Sequence, residues 1–404
     1  MKKTLIAVAA AAALTATSAF AEITFGAWLR VLGSPIASTG EEVVAGMENS
    51  WGWGARTARI DINGVSEDGK AGFSMGVYND VYDGLGTGDR FNLWVKPTDT
   101  VKISIGKYDS PDNGLRGDLC YGSWNWLRPY NWAFDGEGLT FDGIWRSGMM
   151  LEADPIEGLH AFAVIPMSSS YKSAEDTYRN IQVGFGYAIE GVGKLKAQFI
   201  GDYSYTTKKD DGKKDEDATT GQIGVAFDIT AIENLYVTVG ARFGIADKDV
   251  VVIARPDDPN YLKMAFTAGA SYQVSETMKF SVDGGYKQFQ NKFNADDDSV
   301  FFVGAGVDFN VMDGLAAVAD VRYMSNMYGK ADDEGAISFL VGVNKSVSSN
   351  GSLGIGFQGA TNGCGLVTKD GSGIVAGKSY TPGKDDGDGD EFVWAIPVSV
   401  SVFF

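Results

Sequence analysis

The sequence predicts an all-β fold, a membrane-spanning up-and-down barrel of about eighteen antiparallel strands, and three observations predict it. Apolar residues recur at every second position over segments of about ten residues, the period of a strand with one greasy face and one wet face. Tight turns and longer loops join these segments in strict alternation. Mean hydropathy is −0.08 although 44% of residues are hydrophobic, as expected when each strand gives half its side chains to lipid and half to a wet interior.

The chain begins with a basic Met1-Lys2-Lys3 start, an apolar run from Leu5 to Leu14, and a small-x-small site at Ala19-Phe20-Ala21, the layout of a cleaved secretory leader. Residues 1–21 are therefore expected to be removed, leaving 22–404 as a single barrel domain. The leader carries two lysines and no acid, so its loss takes the formal charge from −18 to −20. Such a chain has no electrostatic attraction to nucleic acid. No later stretch has the roughly 18 consecutive apolar residues of a spanning helix. Whatever crosses a membrane must be strands.

Eight tight turns punctuate the chain: Ser66 to Lys70, Pro97 to Thr100, Asp154 to Gly158, Glu190 to Gly193, Ala231 to Asn234, Ser275 to Met278, Met312 to Leu315 and Ser348 to Ser352. They carry the Asp, Asn, Gly and Pro that tight turns require. The longer connections are residues 34–50, 79–89, 110–138, 168–177, 206–220, 248–260, 291–298, 330–335 and 363–390. Eight turns and nine loops join eighteen strands. Reading a break at Gly143 or Ser147-Gly148, within the strand expected from Leu139 to Ala153, gives sixteen. Either number leaves a lumen open to water.

Phase assigns the faces. From Ile23 to Val31 the lipid set is Ile23, Phe25, Leu29 and Val31, with Thr24, Gly26 and Arg30 inside. Val101, Ile103 and Ile105 face out, as do Ile223, Val225, Phe227 and Ile229. Leu235, Val237, Val239, Phe243 and Ile245 face out with Arg242 in. Leu315, Val321 and Tyr323 face out with Asp320 and Arg322 in. Arg59, Lys263, Asp283 and Lys287 follow the same rule. Charge on the lipid face costs about 2–4 kcal/mol at the midplane, so lumenal placement is the stable one.

The chain closes on FVWAIPVSVSVFF. Phe392, Trp394, Ile396, Val398, Val400, Val402 and Phe404 form an apolar even face, while Ala395, Pro397, Ser399 and Ser401 are small or polar. This segment resembles the carboxy-terminal strand of Gram-negative outer-membrane barrels. The resemblance implies recognition by the barrel-assembly machinery, with Phe392, Trp394 and Phe404 as the signal. As the eighteenth strand it returns by parity to the side of the chain's start, where it is expected to pair with Glu22 to Gly33 and leave no open edge.

The third long loop, Ser110 to Gly138, holds Trp124, Trp126, Tyr130, Trp132 and Phe134 beside Asp112, Asp118, Asp135, Glu137, Arg116 and Arg128. In rank, in length and in following IGKYDSP (Ile105 to Pro111), it is similar to the third loop of general porins. That similarity implies a loop folded inward, a trimer, and passive diffusion of ions and small hydrophilic solutes. The expected constriction sets Asp112, Asp118, Asp135 and Glu137 against Arg30, Arg59, Arg242 and Arg322, with cation preference from the acidic excess. The five aromatics also resemble, in composition, the lining of sugar-specific channels of the maltoporin type. A surface adhesin is a further alternative.

Enzymatic function is not expected. The one histidine, His160, lies beside a turn with no Ser-rich nucleophile motif near it. Lys384 to Glu391 (KDDGDGDE) begins like a calcium loop but has Glu391 where Gly is required and no Glu at the twelfth position. No cofactor or dedicated metal site follows, only weak Ca²⁺ or Mg²⁺ binding by acidic loops. Cys120 and Cys364, both on the extracellular side, are either a disulfide or two free thiols.

Overall fold

A computed structural model describes residues 22–38, 43–48, 56–80, 84–107, 147–167, 174–201, 205–208, 214–215, 220–246, 250–252, 262–289, 299–325, 335–361 and 392–404. The alternating segments form β1 (Glu22–Ser38), β2 (Val43–Glu48), β3 (Arg56–Val65), β4 (Ala71–Asp80), β5 (Gly84–Thr98), β6 (Val101–Lys107), β7 (Ser147–Ile156) and β8 (Leu159–Pro166). After a short helix α1 (Ala174–Tyr178) come β9 (Gln182–Ile189), β10 (Gly193–Gly201), β11 (Tyr205–Lys208), β12 (Lys214–Asp215), β13 (Thr220–Ile229), β14 (Leu235–Ala246) and β15 (Val250–Val252). The chain continues through β16 (Leu262–Ser275), β17 (Met278–Phe289), β18 (Ser299–Met312), β19 (Leu315–Met324), β20 (Ala336–Ser348), β21 (Gly351–Ala360), β22 (Val393–Ala395) and β23 (Val398–Phe403).

Twenty of these segments belong to one sheet in which every pairing is antiparallel. Successive long strands of the wall pair with one another, and β1 closes the ring by pairing with β3 on one edge and with β23 on the other. Two segments continue another along a shared neighbour: β2 extends β3 along β1, and β22 extends β23 along both β1 and β21. Twenty segments therefore make eighteen staves, the number the turns and loops imply. The split between β22 and β23 falls at Ile396-Pro397. Pro397 has no N–H to give the ladder, yet its carbonyl still accepts from Gly356 N at 2.9 Å, and Ile396 N reaches Ile36 O at 3.0 Å.

All eight tight turns lie where their residues put them. Asn234 and Gly69, Gly158, Gly191 and Gly314 supply the positive φ that such turns need. At the first, Ser66 Oγ donates to Asp68 Oδ1 at 2.7 Å and Lys70 N donates to the same carboxylate at 3.0 Å. These bonds, the serine first, hold the Asp68 carboxyl below its ordinary range. The strand expected from Leu139 to Ala153 is a single strand where it is described, running from Ser147 to Ile156.

Four loops prove shorter than their composition suggested. Residues 34–50 contain the end of β1 and all of β2, and residues 79–89 contain the end of β4 and the start of β5. Residues 206–220 and 248–260 contain most of β11, together with β12 and β15, which make a small separate sheet of three. Above the bilayer both faces of a strand are wet, so ladder hydrogen bonds persist where alternation fades.

Candidate pore lining

The wall is inside out relative to a water-soluble protein. Phe25, Leu29, Ile105, Ile223, Val225, Val239, Phe243, Val321 and Val400 are all exposed on the outer surface, in the phase that alternation assigned to lipid. The buried set is instead rich in polar and charged groups: Arg59, Ser104, Glu152, Lys196, Gln198, Asp228, Thr238, Asp283, Asp320, Arg322, Ser399 and Ser401. A single sheet with apolar side chains outside and charges inside has lipid on one face and water on the other. Toward the loop-bearing edge, aromatic pairs band the outer face, among them Phe243 with Phe266 at 5.7 Å, Phe301 with Tyr323 at 5.6 Å and Phe357 with Trp394 at 5.9 Å. Phe392 stacks on Phe339 at 6.2 Å. This is an interfacial aromatic girdle.

The lumenal charges form local groups. Arg322 grips Asp320 through Nε at 2.6 Å and a second guanidinium nitrogen at 2.7 Å, with both side chains buried. Gly304 lies between Asp283 and Arg322 on the neighbouring strands, and a Cβ there would sit 2.5 Å from Asp283 Oδ1. Glycine keeps that approach open. On β10, Lys196 meets Asp228 of β13 at 2.5 Å, and Thr238 Oγ1 of β14 donates to the same carboxylate at 2.8 Å. Arg59 Nε donates to Asp61 at 2.9 Å, Lys279 pairs with Asp308 at 3.1 Å, and Lys102 pairs with Glu152 at 2.9 Å. Two indoles join the lining, Trp28 beneath Arg30 and Trp94 between Lys96 and Lys102.

Of the expected constriction set, Arg30, Arg59, Arg242 and Arg322 occupy the lumenal phase on β1, β3, β14 and β19. They stand on four separate staves of the wall. Asp112, Asp118, Asp135 and Glu137 lie outside the described residues, as do Trp124, Trp126, Tyr130, Trp132 and Phe134, Cys120 and Cys364, the acidic run 384–391 and the leader. Leu262 pairs with Phe289 and Met264 with Gln288, so Lys263 is the extra residue of a bulge, where parity no longer fixes a face. Lys102, Glu152, Lys196, Asp228, Lys279 and Asp308 were missed as lining groups, although counting from Leu195 or Phe227 would have placed the central pair.

His160 sits at the turn-bearing rim. Its Nδ1 is 2.8 Å from Asp154 Oδ1, and its Nε2 is 3.8 Å from Glu152 Oε1. Among the described residues no group of three or more His, Cys, Asp or Glu could hold a metal ion, and no helix is long and apolar enough to cross a membrane.

Solved structures with this fold are known. An anion-selective porin from Comamonas acidovorans superimposes with a TM-score of 0.53 at 15% identity, over 95% of this chain and 100% of that one. The fold is that of an outer-membrane porin. OprD of Pseudomonas aeruginosa matches with a TM-score of 0.52 at 10% identity, over 96% of each chain. No protein-family model matches the sequence, and no curated protein matches it either. The likeness lies in strand order and closure, which a barrel of alternating strands keeps while most side chains change.

Proposed function

We propose that the barrel is a passive channel of the bacterial outer membrane, through which ions and small hydrophilic solutes diffuse, with no covalent step and no cofactor. One observation carries this reading: a closed ring of eighteen staves keeps its exposed apolar side chains outside and its charges inside. About eight strands would fill their own interior, whereas rings of sixteen to eighteen leave an aqueous channel. A homotrimer in the membrane, delivered by the barrel-assembly machinery, is the assembly that the resemblance to general porins suggests.

The described wall itself is cationic. Among the described lumenal side chains, Arg30, Arg59, Lys96, Lys102, Lys194, Lys196, Arg242, Lys279, Lys287 and Arg322 face Glu22, Asp61, Glu152, Asp154, Asp228, Asp283, Asp308 and Asp320, an excess of cations. The net negative charge of the chain therefore resides in its connections. We assign a weak cation preference to those acidic connections, which draw cations to the mouth, while the wall opposes it. Planar-bilayer recording tests both levels: no conductance ends the channel reading, and a reversal potential of the anion-selective sign ends the cation preference.

A substrate-specific channel is the second reading, favoured by the two lumenal indoles with cations over their rings. Aromatic faces beside polar groups suit the apolar and hydroxyl faces of sugars. Block of the current by a sugar at micromolar concentration would select it.

A further inference from the structure

On the outer face of the first third of the barrel, the described residues form a groove near the loop-bearing edge. Phe91, Lys107 and Ser147 stand side by side across β5, β6 and β7. Met167 adjoins them, its N–H donating to Ser147 O at 2.9 Å. All lie at the loop-bearing ends of their strands. Phe91 and Met167 are large and exposed, and Ser147 between them is small. Gly106 and Gly148 carry no side chain there, and the row lines a groove of about 480 Å³ together with Ile105. That volume lies within the range of small-molecule sites.

Lys107 has the outward phase of Val101, Ile103 and Ile105, and its exposed side chain stands at the polar end of an apolar groove. No carboxylate of the described residues pairs with it. A lysine beside lipid extends its stem over apolar surface and keeps its ammonium at the headgroup level. An apolar trough ending in one cation has the chemistry of an amphiphile with an anionic head. We propose that this groove binds one acyl chain of a phosphate-bearing lipid of the outer leaflet, with the phosphate against Lys107 Nζ. The leaflet follows from position, since the loop-bearing edge of a membrane barrel is the extracellular one.

The inference rests on the membrane-barrel reading, so its test must fail separately from that reading. Purified full-length protein in detergent is titrated with lipid A and, as a neutral control, phosphatidylcholine, and bound lipid is read by native mass spectrometry. Wild-type protein is expected to retain one lipid A and to prefer it to phosphatidylcholine. Lys107→Gln should weaken lipid A retention about five-fold, the factor for one lysine at a membrane surface. Ser147→Trp fills the trough and should abolish retention of lipid A. Heat-modifiable gel mobility and single-channel conductance should be unchanged in both variants, which shows that the barrel is intact. Retention by Ser147→Trp equal to wild type overturns the proposal. Equal retention of lipid A and phosphatidylcholine, or displacement of lipid A by millimolar inorganic phosphate alone, overturns it as well.

Discussion

Val225 and Gln222 lie on one strand but face opposite media, so a single arginine moved between them tests the architecture. Val225 is near the middle of β13, flanked in register by Ala197 of β10 and Ala241 of β14, and its side chain is 41% exposed on the outer face. Gln222 has the lumenal phase, and its Oε1 has no hydrogen-bond partner among the described residues. Arginine at Val225 must enter hydrocarbon or drag water into it. That costs about 2–4 kcal/mol at the midplane, which lowers the folded-to-unfolded ratio by about 30-fold to 1,000-fold. Arginine at Gln222 meets a wet lumen and should cost less than about 1 kcal/mol by the same depth scale. It adds a cation to the wall on the strand next to Arg242. The assay is equilibrium denaturant unfolding of protein folded into phospholipid vesicles, followed by tryptophan fluorescence, with bilayer reversal potentials for the same variants. V225R should lower the unfolding midpoint, whereas Q222R should leave it in place and shift the reversal potential toward anions. Identical midpoints for the two variants would mean that the outer face is not in lipid, and the inside-out wall would need another explanation.

Further outcomes follow from particular contacts. Lys196→Met leaves Asp228 buried with Thr238 as its one remaining partner among the described residues, and removal of one partner from a buried pair costs about 3–5 kcal/mol; vesicle unfolding should show it, and K196M combined with D228L should recover most of the loss. Ser66→Ala removes the largest influence that lowers the Asp68 carboxyl. Because the folded form titrates below the unfolded one, this turn contributes stability above the ordinary carboxylate range and loses it as pH falls through the lowered value. NMR titration should therefore find the Asp68 carboxyl rising in S66A, and an unmoved titration would refute the assignment. Deleting Phe404 removes the reciprocal bonds between its backbone and Ala27, at 2.9 and 2.7 Å; the fraction of heat-modifiable barrel recovered from outer membranes should fall several-fold.

How much of this was legible varies with what surrounds each residue. Where lipid lies on one side, as from Gln222 to Ile229, chemistry alternates with geometry and a face can be counted off residue by residue. At Gly84 to Arg90 the strand continues, yet its run of Gly, Thr and Asp carries no apolar alternation to mark it, so the sequence reads as loop. Lys263 shows a different limit: one inserted residue reverses parity, and only the partner strand reveals the insertion. The lining was half visible. Arg242 and Arg322 stood out because arginine in an apolar-alternating run is conspicuous, whereas Lys196 in KLKAQ looked like ordinary surface charge. Pairing Lys196 with Asp228 requires knowing that β10 and β13 are neighbours across a long connection.

The bonds between Ala27 and Phe404 span almost the whole sequence. Until the last residue is in place, β1 offers a row of unpaired backbone groups that neither lipid nor a partial sheet can satisfy. Closure is therefore a test of completeness. A chain that lacks β23 keeps open edges along β1 and β21. Joining residues so distant in sequence is slow, so these edges stay open through most of folding.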